Sequence, residues 1–262
     1  MNNSEKFNTE LMKKVKNNFS SSVEINNCNL TSTIPFEANK LCKIENVVAI
    51  FIDMAGSTNI SIQKHQKGAS KIFKSYIESF ITIFDSYGAK FIDIQGDGGF
   101  MLFDGKTKEQ RNKALASAIH TVNFISQELA PFVENKTGIE LDVRIGIDFG
   151  MIFAKKFGKR NSNGSDYKNE KVWLGKPVSV SSKLCNDKSL AGNNTVRVSD
   201  RFFNSLYKDY DNWLEKLDVL NKNYWEEKPD CCKDLNIPSI ENAYILETST
   251  CNSNSGFCSN NL

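Results

Sequence analysis

The sequence predicts an α+β fold, an α/β sandwich built on a ferredoxin-like βαββαβ core. Three observations predict it: an apolar run of strand length, two segments with helical periodicity, and a hairpin between those segments. The resulting order of strands and helices is the split βαβ pattern of ferredoxin-like domains. With 262 residues, the chain can form one such domain with N- and C-terminal extensions.

The first strand and the first helix of this core follow one another closely. The run VVAIFID (47–53) is rich in β-branched residues and contains no turn residue, which indicates a central strand covered on both faces. It ends in MAGST, whose glycine, serine and threonine are typical of a turn and a helix N-cap. Apolar residues then recur with a 3.6-residue period over 68–87, which predicts an amphipathic helix.

A hairpin, a second helix and a further strand complete the core. The segments AKFIDIQ and FMLFD are predicted strands, and GDGG is the tight turn between them. A helix is predicted from about 108 to 133, followed by the strand LDVRIGID with MIFAKK as its hairpin partner. After the polar insertion FGKRNSNGSDYKNE, the segment VWLGKPVSVSSKLCN is expected to begin as a turn and continue as a helix. The strand TVRVS, a helix near 202–206 and the strand AYILE follow.

The composition divides the chain into three predicted parts. Residues 1–45 form an N-terminal extension with apolar residues at helical spacing, namely Phe7, Leu11, Met12 and Val15. Residues 46–248 form the main domain, with its core at 46–200. The polar residues 249–262 are expected to be a disordered tail.

Charge and hydropathy exclude several classes of function. The net charge of +2 predicts no nucleic-acid partner, because nucleic-acid-binding proteins usually carry a basic patch or stripe. No apolar run reaches the roughly 18–20 residues that span a bilayer, and the N-terminal segment is too polar for a signal peptide. We therefore expect a cytoplasmic protein without direct membrane insertion. The seven cysteines lack CxxC spacing, so reduced thiols are expected rather than a zinc site.

Two carboxylates stand where the predicted core can bring them together. Asp53 ends the first strand and Asp97 occupies the hairpin turn, so neighbouring strands would place both acids at one sheet edge. Two like charges held close are costly unless a cation lies between them, and hard oxygen ligands suit Mg²⁺ or Mn²⁺. Two such ions, about 3.5–4 Å apart, can activate an attacking oxygen and neutralise a leaving pyrophosphate. The loop after Asp53 offers backbone N–H groups to a phosphate; its residues are Met54, Ala55, Gly56, Ser57 and Thr58.

Four segments, FIDMAGST, FIDIQGDGGFMLF, LDVRIGIDFG and VWLGKPVSVSSKL, resemble in order and spacing the class III nucleotidyl cyclase catalytic domain. The resemblance covers about residues 45–200. It implies that Asp53 and Asp97 ligate two divalent ions with the backbone carbonyl of Met54, and that Arg144 binds phosphate. It further implies a head-to-tail homodimer with shared active sites. Ser179 and Lys183 stand at the positions of the family's transition-state asparagine and arginine, and lysine lacks the bidentate fork of arginine.

The residues at the two positions that select the base in this family are Asp93 and Val172. Adenine N1 is an acceptor and cannot bond an acceptor carboxylate, which disfavours ATP. The Asp93 carboxylate could accept from N3–H of uracil, the amino group of cytosine or the N–H edge of guanine. Guanine would want a longer acid and a second polar partner, which Val172 cannot supply.

The overall pattern is similar to the bacterial pyrimidine cyclases of Pycsar anti-phage systems. This resemblance implies UTP or CTP as substrate, Mn²⁺ or Mg²⁺ as cofactor, and cUMP or cCMP as an alarm signal read by a separate effector protein. UTP is the favoured substrate; cytidylate, guanylate and adenylate cyclases remain alternatives. A degenerate, non-catalytic nucleotide-binding regulatory domain is a further alternative, which Ser179 and Lys183 motivate. A diguanylate cyclase or polymerase shares this kind of core, but a GGDEF-like turn is replaced here by GDGG.

Overall fold

The computed structural model describes residues 3–31, 34, 40–57, 60, 66–160, 166–187, 190, 192–207, 225–229 and 242–247. Within this part of the chain the helices are α1 (Asn3–Ser20), α2 (Gln66–Ser86), α3 (Lys108–Phe124), α4 (Ala130–Thr137), α5 (Lys176–Asn186) and α6 (Asp200–Tyr207), with a π-helix (Ile125–Leu129) between α3 and α4. The strands are β1 (Glu24–Asn27), β2 (Lys40–Ala55), β3 (Phe91–Gln95), β4 (Gly98–Asp104), β5 (Asp142–Arg160), β6 (Asp166–Leu174), β7 (Thr195–Ser199), β8 (Trp225–Pro229) and β9 (Asn242–Glu247).

The strands form one sheet whose centre is the predicted ferredoxin-like core. The order β3-β4-β2-β5 is antiparallel throughout, and α2 and α3 connect its strands in the βαββαβ sequence. Strands β7, β9 and β8 extend the sheet beyond β5. Strand β1 pairs in parallel with the start of β2, and β6 pairs with the second half of β5. The predicted fold class is therefore confirmed.

Strand β2 is buried on both faces, as its continuous apolar run predicts. Because side chains alternate along a strand, Ile50, Ile52 and Met54 join the main core, which the side chains of α2 and α3 complete. Val47 and Ala49 point to the opposite face and belong to a second apolar cluster. Asp53 shares that second face, near the end of the strand.

Helix α5 packs on this second face against β5. At Gly146, a Cβ would lie only 2.5 Å from the backbone nitrogen of Cys185, so a glycine is needed for α5 to approach the strand this closely. Gly175, at φ 140°, precedes the first turn of α5, and Pro177 lies within that turn, where a missing N–H costs no helical hydrogen bond. The predicted helix in VWLGKPVSVSSKLCN is therefore confirmed.

Two local predictions are wrong. MIFAKK does not turn back on LDVRIGID, because β5 runs on without a break to Arg160; its hairpin partner is β6, so VWL is strand rather than turn. The backbone stays extended through Gly150. The helix predicted from about 108 to 133 is confirmed, although it contains a π-helix and continues to Thr137. Pro131 follows the π-helix, where the altered register accommodates a residue that cannot donate a helical N–H.

The N-terminal periodicity correctly predicted a helix, α1. Strand β2 begins at Lys40 and so crosses the predicted boundary at residue 45, while the division into domains stays a prediction. The predicted tail, 249–262, lies outside the described residues. Among the described helices, none combines the length and the apolar character that crossing a membrane requires.

Candidate active site

Asp53 lies opposite Arg144 on the neighbouring central strands β2 and β5, near one end of β2. The two residues are direct partners in the β2–β5 ladder, and Nη2 of Arg144 donates to Oδ2 of Asp53 at 3.3 Å. Both side chains are largely shielded, with 25% of Asp53 and 13% of Arg144 exposed. The arginine is therefore held beside the carboxylate by strand register as well as by charge.

Asp97 lies in the turn that joins β3 to β4, at the same end of the sheet. Gln95 pairs with Gly98, so Gly96 and Asp97 form a two-residue turn, with Gly96 at φ 66°. Strand β4 lies directly beside β2, where Gly99 is the partner of Ile52. This register brings Asp97 next to the end of β2 that carries Asp53.

Gly98 permits this close approach of the two strands. A Cβ at Gly98 would lie well under 3.0 Å from the carbonyl oxygen of Ile52, a separation that real Cβ atoms essentially never show. Any larger residue would force β4 away from β2. The distance between the two carboxylates thus depends on a glycine between them.

The electrostatic environment of Asp53 favours a cation. Burial raises the pKa of the Asp53 carboxyl, and the negative charge of Asp97 raises it further. The Arg144 charge, its hydrogen bond and the backbone N–H of Met54 act in the opposite direction but do not cancel the rise in pKa. A divalent cation between the two acids would offset both the cost of burying the Asp53 charge and its repulsion by Asp97.

The donor set fits a hard divalent ion. Asp53 and Asp97 offer two carboxylates, and within the described residues no three His, Cys, Asp or Glu side chains gather into a cluster. Mg²⁺ typically binds through one or two carboxylates and takes its other ligands from water and substrate phosphates. The backbone carbonyl of Met54, the residue after Asp53, is a further oxygen at the same end of β2.

The loop that follows Asp53 is only partly described. The Met54 side chain is buried in the main core, Ala55 ends β2, and Gly56 is exposed with φ 79°. Ser57 is half-buried. Thr58, which was predicted as part of the phosphate-binding loop, lies outside the described residues.

Two buried groups near the carboxylates could not be inferred from the sequence. Cys185 of α5 donates from Sγ to the backbone oxygen of Arg144 at 3.3 Å, and burial raises its pKa to about 12. Tyr76 of α2 is fully buried, and burial raises its pKa well above its ordinary value, as do the charges of Asp53 and Asp97. Both groups are therefore neutral at physiological pH and add no negative charge beneath the site.

Ser179 and Lys183 lie one turn apart on α5, and both are exposed. The helix that carries them is fixed at its C-terminal end by Arg197, a fully buried arginine on β7. Its guanidinium donates to the backbone oxygens of Leu184, Cys185, Asp187, Leu190 and Gly192. This role could not be inferred from the sequence, because these five acceptors are backbone atoms.

The two base-position residues lie on different strands. Asp93 is exposed on β3 and pairs with Phe100 of β4, which in turn lies opposite Phe51 of β2. Directly paired residues share a face, so Asp93 lies on the same sheet face as Asp53, one row away. Val172 is half-buried on β6, opposite Lys155, and the structure shows no contact that joins it to Asp93.

Aromatic side chains lie on the same sheet face as Asp93 and Asp53. The Phe51 and Phe100 rings are 4.6 Å apart, and Phe91 lies 4.7 Å from Trp173 of β6. The sequence analysis did not single out Phe51. Its position two residues before Asp53 was the available signal, since residues i and i+2 of a strand share a face.

The chain is similar to known proteins in sequence and in fold. The family model of the adenylate and guanylate cyclase catalytic domain matches residues 40–218. A uridylate cyclase of Propioniciclava tarda is 35% identical over 144 residues, which cover 54% of this chain and 45% of that protein. A cytidylate cyclase of Staphylococcus aureus is 27% identical over 187 residues, covering 68% of this chain and 44% of that protein. The chain thus spans about half the length of the curated relatives it matches.

Solved structures with the same fold include two cyclases of other nucleotide classes. The adenylyl cyclase CyaB of P. aeruginosa has a TM-score of 0.60 at 15% identity, over 79% of this chain and 95% of that one. The guanylate cyclase domain of RhGC from Catenaria anguillulae, in complex with GTP, has a TM-score of 0.57 at 15% identity, over 78% and 97%. At this identity they support the fold alone. Because the family model covers more than half of its length, this chain belongs to the adenylate and guanylate cyclase catalytic domain family.

Proposed function

We propose that the chain is a pyrimidine nucleotide cyclase that converts UTP to 3′,5′-cyclic UMP and pyrophosphate. The observation that carries this proposal is the pairing of the shielded Asp53 carboxylate with Arg144, beside Asp97, near one end of β2. The matching relatives named uridylate and cytidylate cyclase support a pyrimidine substrate.

Asp53, Asp97 and the carbonyl of Met54 would hold two divalent ions, Mg²⁺ or Mn²⁺. These ions would supply charge neutralisation for the triphosphate and activation of the attacking ribose oxygen. Arg144 would bind a phosphate oxygen through donors that Asp53 does not use. Backbone N–H groups of the loop after Asp53 would bind the remaining phosphate oxygens.

Each active site would be shared between two protomers arranged head to tail. Asp53 and Asp97 of one protomer would face α5 of the other, where Ser179 would orient the ribose and Lys183 would offset negative charge on the triphosphate. The rigid attachment of α5 supports this role, because a positioning group contributes most when its own position is fixed. Lys183 provides a point charge rather than the fork of an arginine.

Asp93 would select the base by accepting a hydrogen bond. It could accept from N3–H of uracil or from the amino group of cytosine, but it cannot bond adenine N1, which is also an acceptor. Its exposure in the single chain is compatible with contact to a base held between two protomers. Val172, an apolar residue, would border the base without adding polar discrimination.

In the cell the product would act as a second messenger in anti-phage defence, read by a separate effector protein. The cytoplasm, where nucleoside triphosphates are abundant, is the proposed location of the reaction. Neither a nucleic acid nor a membrane is required as a partner of this chain.

The proposal can be tested by supplying each of the four nucleoside triphosphates with Mn²⁺ or Mg²⁺ and identifying the product by mass. Cyclic UMP is expected as the main product. Asp53→Asn and Asp97→Asn should each abolish it while a thermal unfolding curve remains cooperative. Sustained cyclisation by either folded variant would refute the metal assignment, and a purine product would refute the assignment of the base.

A second candidate is a regulatory domain that binds the nucleotide without cyclising it. The specific observation in its favour is the pair Ser179 and Lys183 at positions where the family has asparagine and arginine. The same assay separates the two functions. UTP-dependent thermal stabilisation without any cyclic product from the four nucleotides would support the regulatory domain.

A further inference from the structure

Helix α1 presents a row of large apolar side chains to solvent. Phe7, Leu11, Val15 and Phe19 recur every four residues, and Met12 adjoins them. The exposed fraction is 64% for Phe7, 48% for Leu11, 52% for Met12 and 89% for Phe19. We call these five residues the α1 stripe. An isolated helix of this length is marginal in water, and most helices gain stability by packing an apolar face, so the α1 stripe needs an occupant.

The charged residues along the α1 stripe are arranged asymmetrically. With 3.6 residues per turn, Glu10 and Lys14 follow one border of the α1 stripe, and Glu5 and Lys16 follow the other. On each border the acid lies toward the N-terminus and the base toward the C-terminus. Lys13 lies on the opposite side of the helix.

These borders distinguish between the two ways in which two copies of α1 could pair. In an antiparallel pair each border meets the same border of the other helix in reverse, which places Glu10 of one copy beside Lys14 of the other. In a parallel pair the two different borders meet at the same level, which places Lys14 beside Lys16 and Glu10 toward Glu5. Opposite charges are favourable and like charges unfavourable at such flanking positions.

We propose that α1 is an association surface for a second copy of this chain, bound antiparallel through the α1 stripe with Glu10 of each copy beside Lys14 of the other. The helix has 18 residues and is about 27 Å long, so the pair alone is smaller than a standard interface of about 1,200–2,000 Å². It adds a weak contact between copies and uses none of the residues assigned to nucleotide binding.

A membrane surface is the main rival occupant. The phenylalanines and four lysines of α1 suit an interfacial helix, which is rich in Lys and Arg on its polar face, but α1 also carries two glutamates. Here an acid stands on each border, and a charge of this sign faces anionic headgroups unfavourably. The charge pattern therefore favours a second copy.

Charge-swap variants of the full chain test the pairing by sedimentation equilibrium. Lys14→Glu and Glu10→Lys should each weaken self-association roughly tenfold, because two symmetry-related attractions become repulsions. An equimolar mixture of the two variants should restore it, since each chain then complements the other. Lys13→Glu, which makes the same charge change on the opposite side of α1, should have no effect. Stronger association of Lys14→Glu would indicate parallel helices and overturn the proposal.

A disulfide experiment reports the arrangement even if another surface keeps the chains together. Differently tagged chains carrying Glu10→Cys and Lys14→Cys should form a mixed disulfide-linked dimer on oxidation, whereas Lys13→Cys should form none above the wild-type background. Absence of the mixed species would refute the antiparallel pair. So would loss of binding to phosphatidylserine vesicles by Leu11→Glu with unchanged self-association, because it would assign the α1 stripe to a membrane surface.

Discussion

Replacing Gly98 with alanine should move β4 and the Asp97 turn away from β2, and so separate the two carboxylates that we propose bind metal. The added Cβ would come well under 3.0 Å from the carbonyl oxygen of Ile52, whereas ordinary van der Waals contact begins near 3.4 Å. The obstructing atom belongs to the backbone of β2, so no side-chain rotation can relieve the overlap. Strand β4, with the Asp97 turn, must therefore move by roughly 1 Å, and overpacking of this kind costs about 1–3 kcal/mol.

This displacement should affect function more than stability. A misplacement of about 1 Å in a catalytic arrangement can lower the rate by about 100-fold, because the reacting groups lose their alignment. Gly98→Ala should therefore unfold at a lower denaturant concentration, give a smaller Mn²⁺-dependent rise in Tm, and form cyclic product at least tenfold more slowly.

Gly138→Ala is the matched control for this experiment. Gly138 has φ 68° and open space around its Cβ position, and it follows the last residue of α4. It should cost about 1 kcal/mol through backbone strain alone, and activity per folded molecule should remain unchanged. The reasoning fails if Gly98→Ala retains wild-type activity and metal response, or if Gly138→Ala loses as much activity as Gly98→Ala.

Three further outcomes follow from single contacts. Arg201→Met should destabilise the fold by about 2–3 kcal/mol at pH 7, because it leaves the buried Asp148 carboxylate without its charged partner. The loss is smaller than for a fully buried ion pair, since 32% of the Arg201 side chain is exposed. Burial already raises the pKa of Asp148, so its ionisation weakens folding as pH rises above the usual carboxyl range; urea unfolding should show a smaller loss near pH 4 than at pH 7, and a loss independent of pH would contradict this account. Lys183→Ala should lower kcat at least tenfold while UTP-dependent thermal stabilisation persists, and Lys183→Arg should retain or exceed wild-type kcat, so equal defects in both variants would argue against a charge role. Asp93→Ala should lower kcat/KM for UTP at least tenfold with little change in Mn²⁺-dependent stabilisation; unchanged selectivity among the four nucleotides would remove Asp93 from base recognition.

The central fold could be predicted because each of its signals is local. The apolar run that ends in Asp53, the helical period of α2 and the glycine-rich turn around Asp97 each arise within a single segment. Once these segments are placed in a ferredoxin-like order, β2 and β4 must be neighbours, and the proximity of the two acids follows. The ion pair between Asp53 and Arg144 needed one further fact, the register of β5 on β2, which no segment contains.

The errors arose where tertiary pairing outweighed local composition. Gly150 is typical of a turn, yet the strand stays extended there because β2 pairs with it up to Ala154 and β6 pairs with it from Phe153 to Arg160. From its sequence context alone, Arg197 would be expected on a strand face exposed to water. It is instead 1% exposed, because the chain after α5 folds over it and presents backbone oxygens to its guanidinium. Such acceptors have no sequence signature, since every residue carries them.

The packing of α5 on the second sheet face explains how this short helix could position catalytic groups. Gly146 lets α5 approach the backbone of β5, and Arg197 fixes the C-terminal end of α5 from below. These two contacts leave the helix little freedom to shift, so we expect that exchanging residues at its exposed positions alters chemistry without altering placement. Variants at Ser179 and Lys183 should therefore change rate and substrate response while leaving unfolding free energy nearly constant. Substitution at Gly146, in contrast, should alter rate and stability together, and finding a rate defect without a stability loss there would show that α5 is not held in the way described.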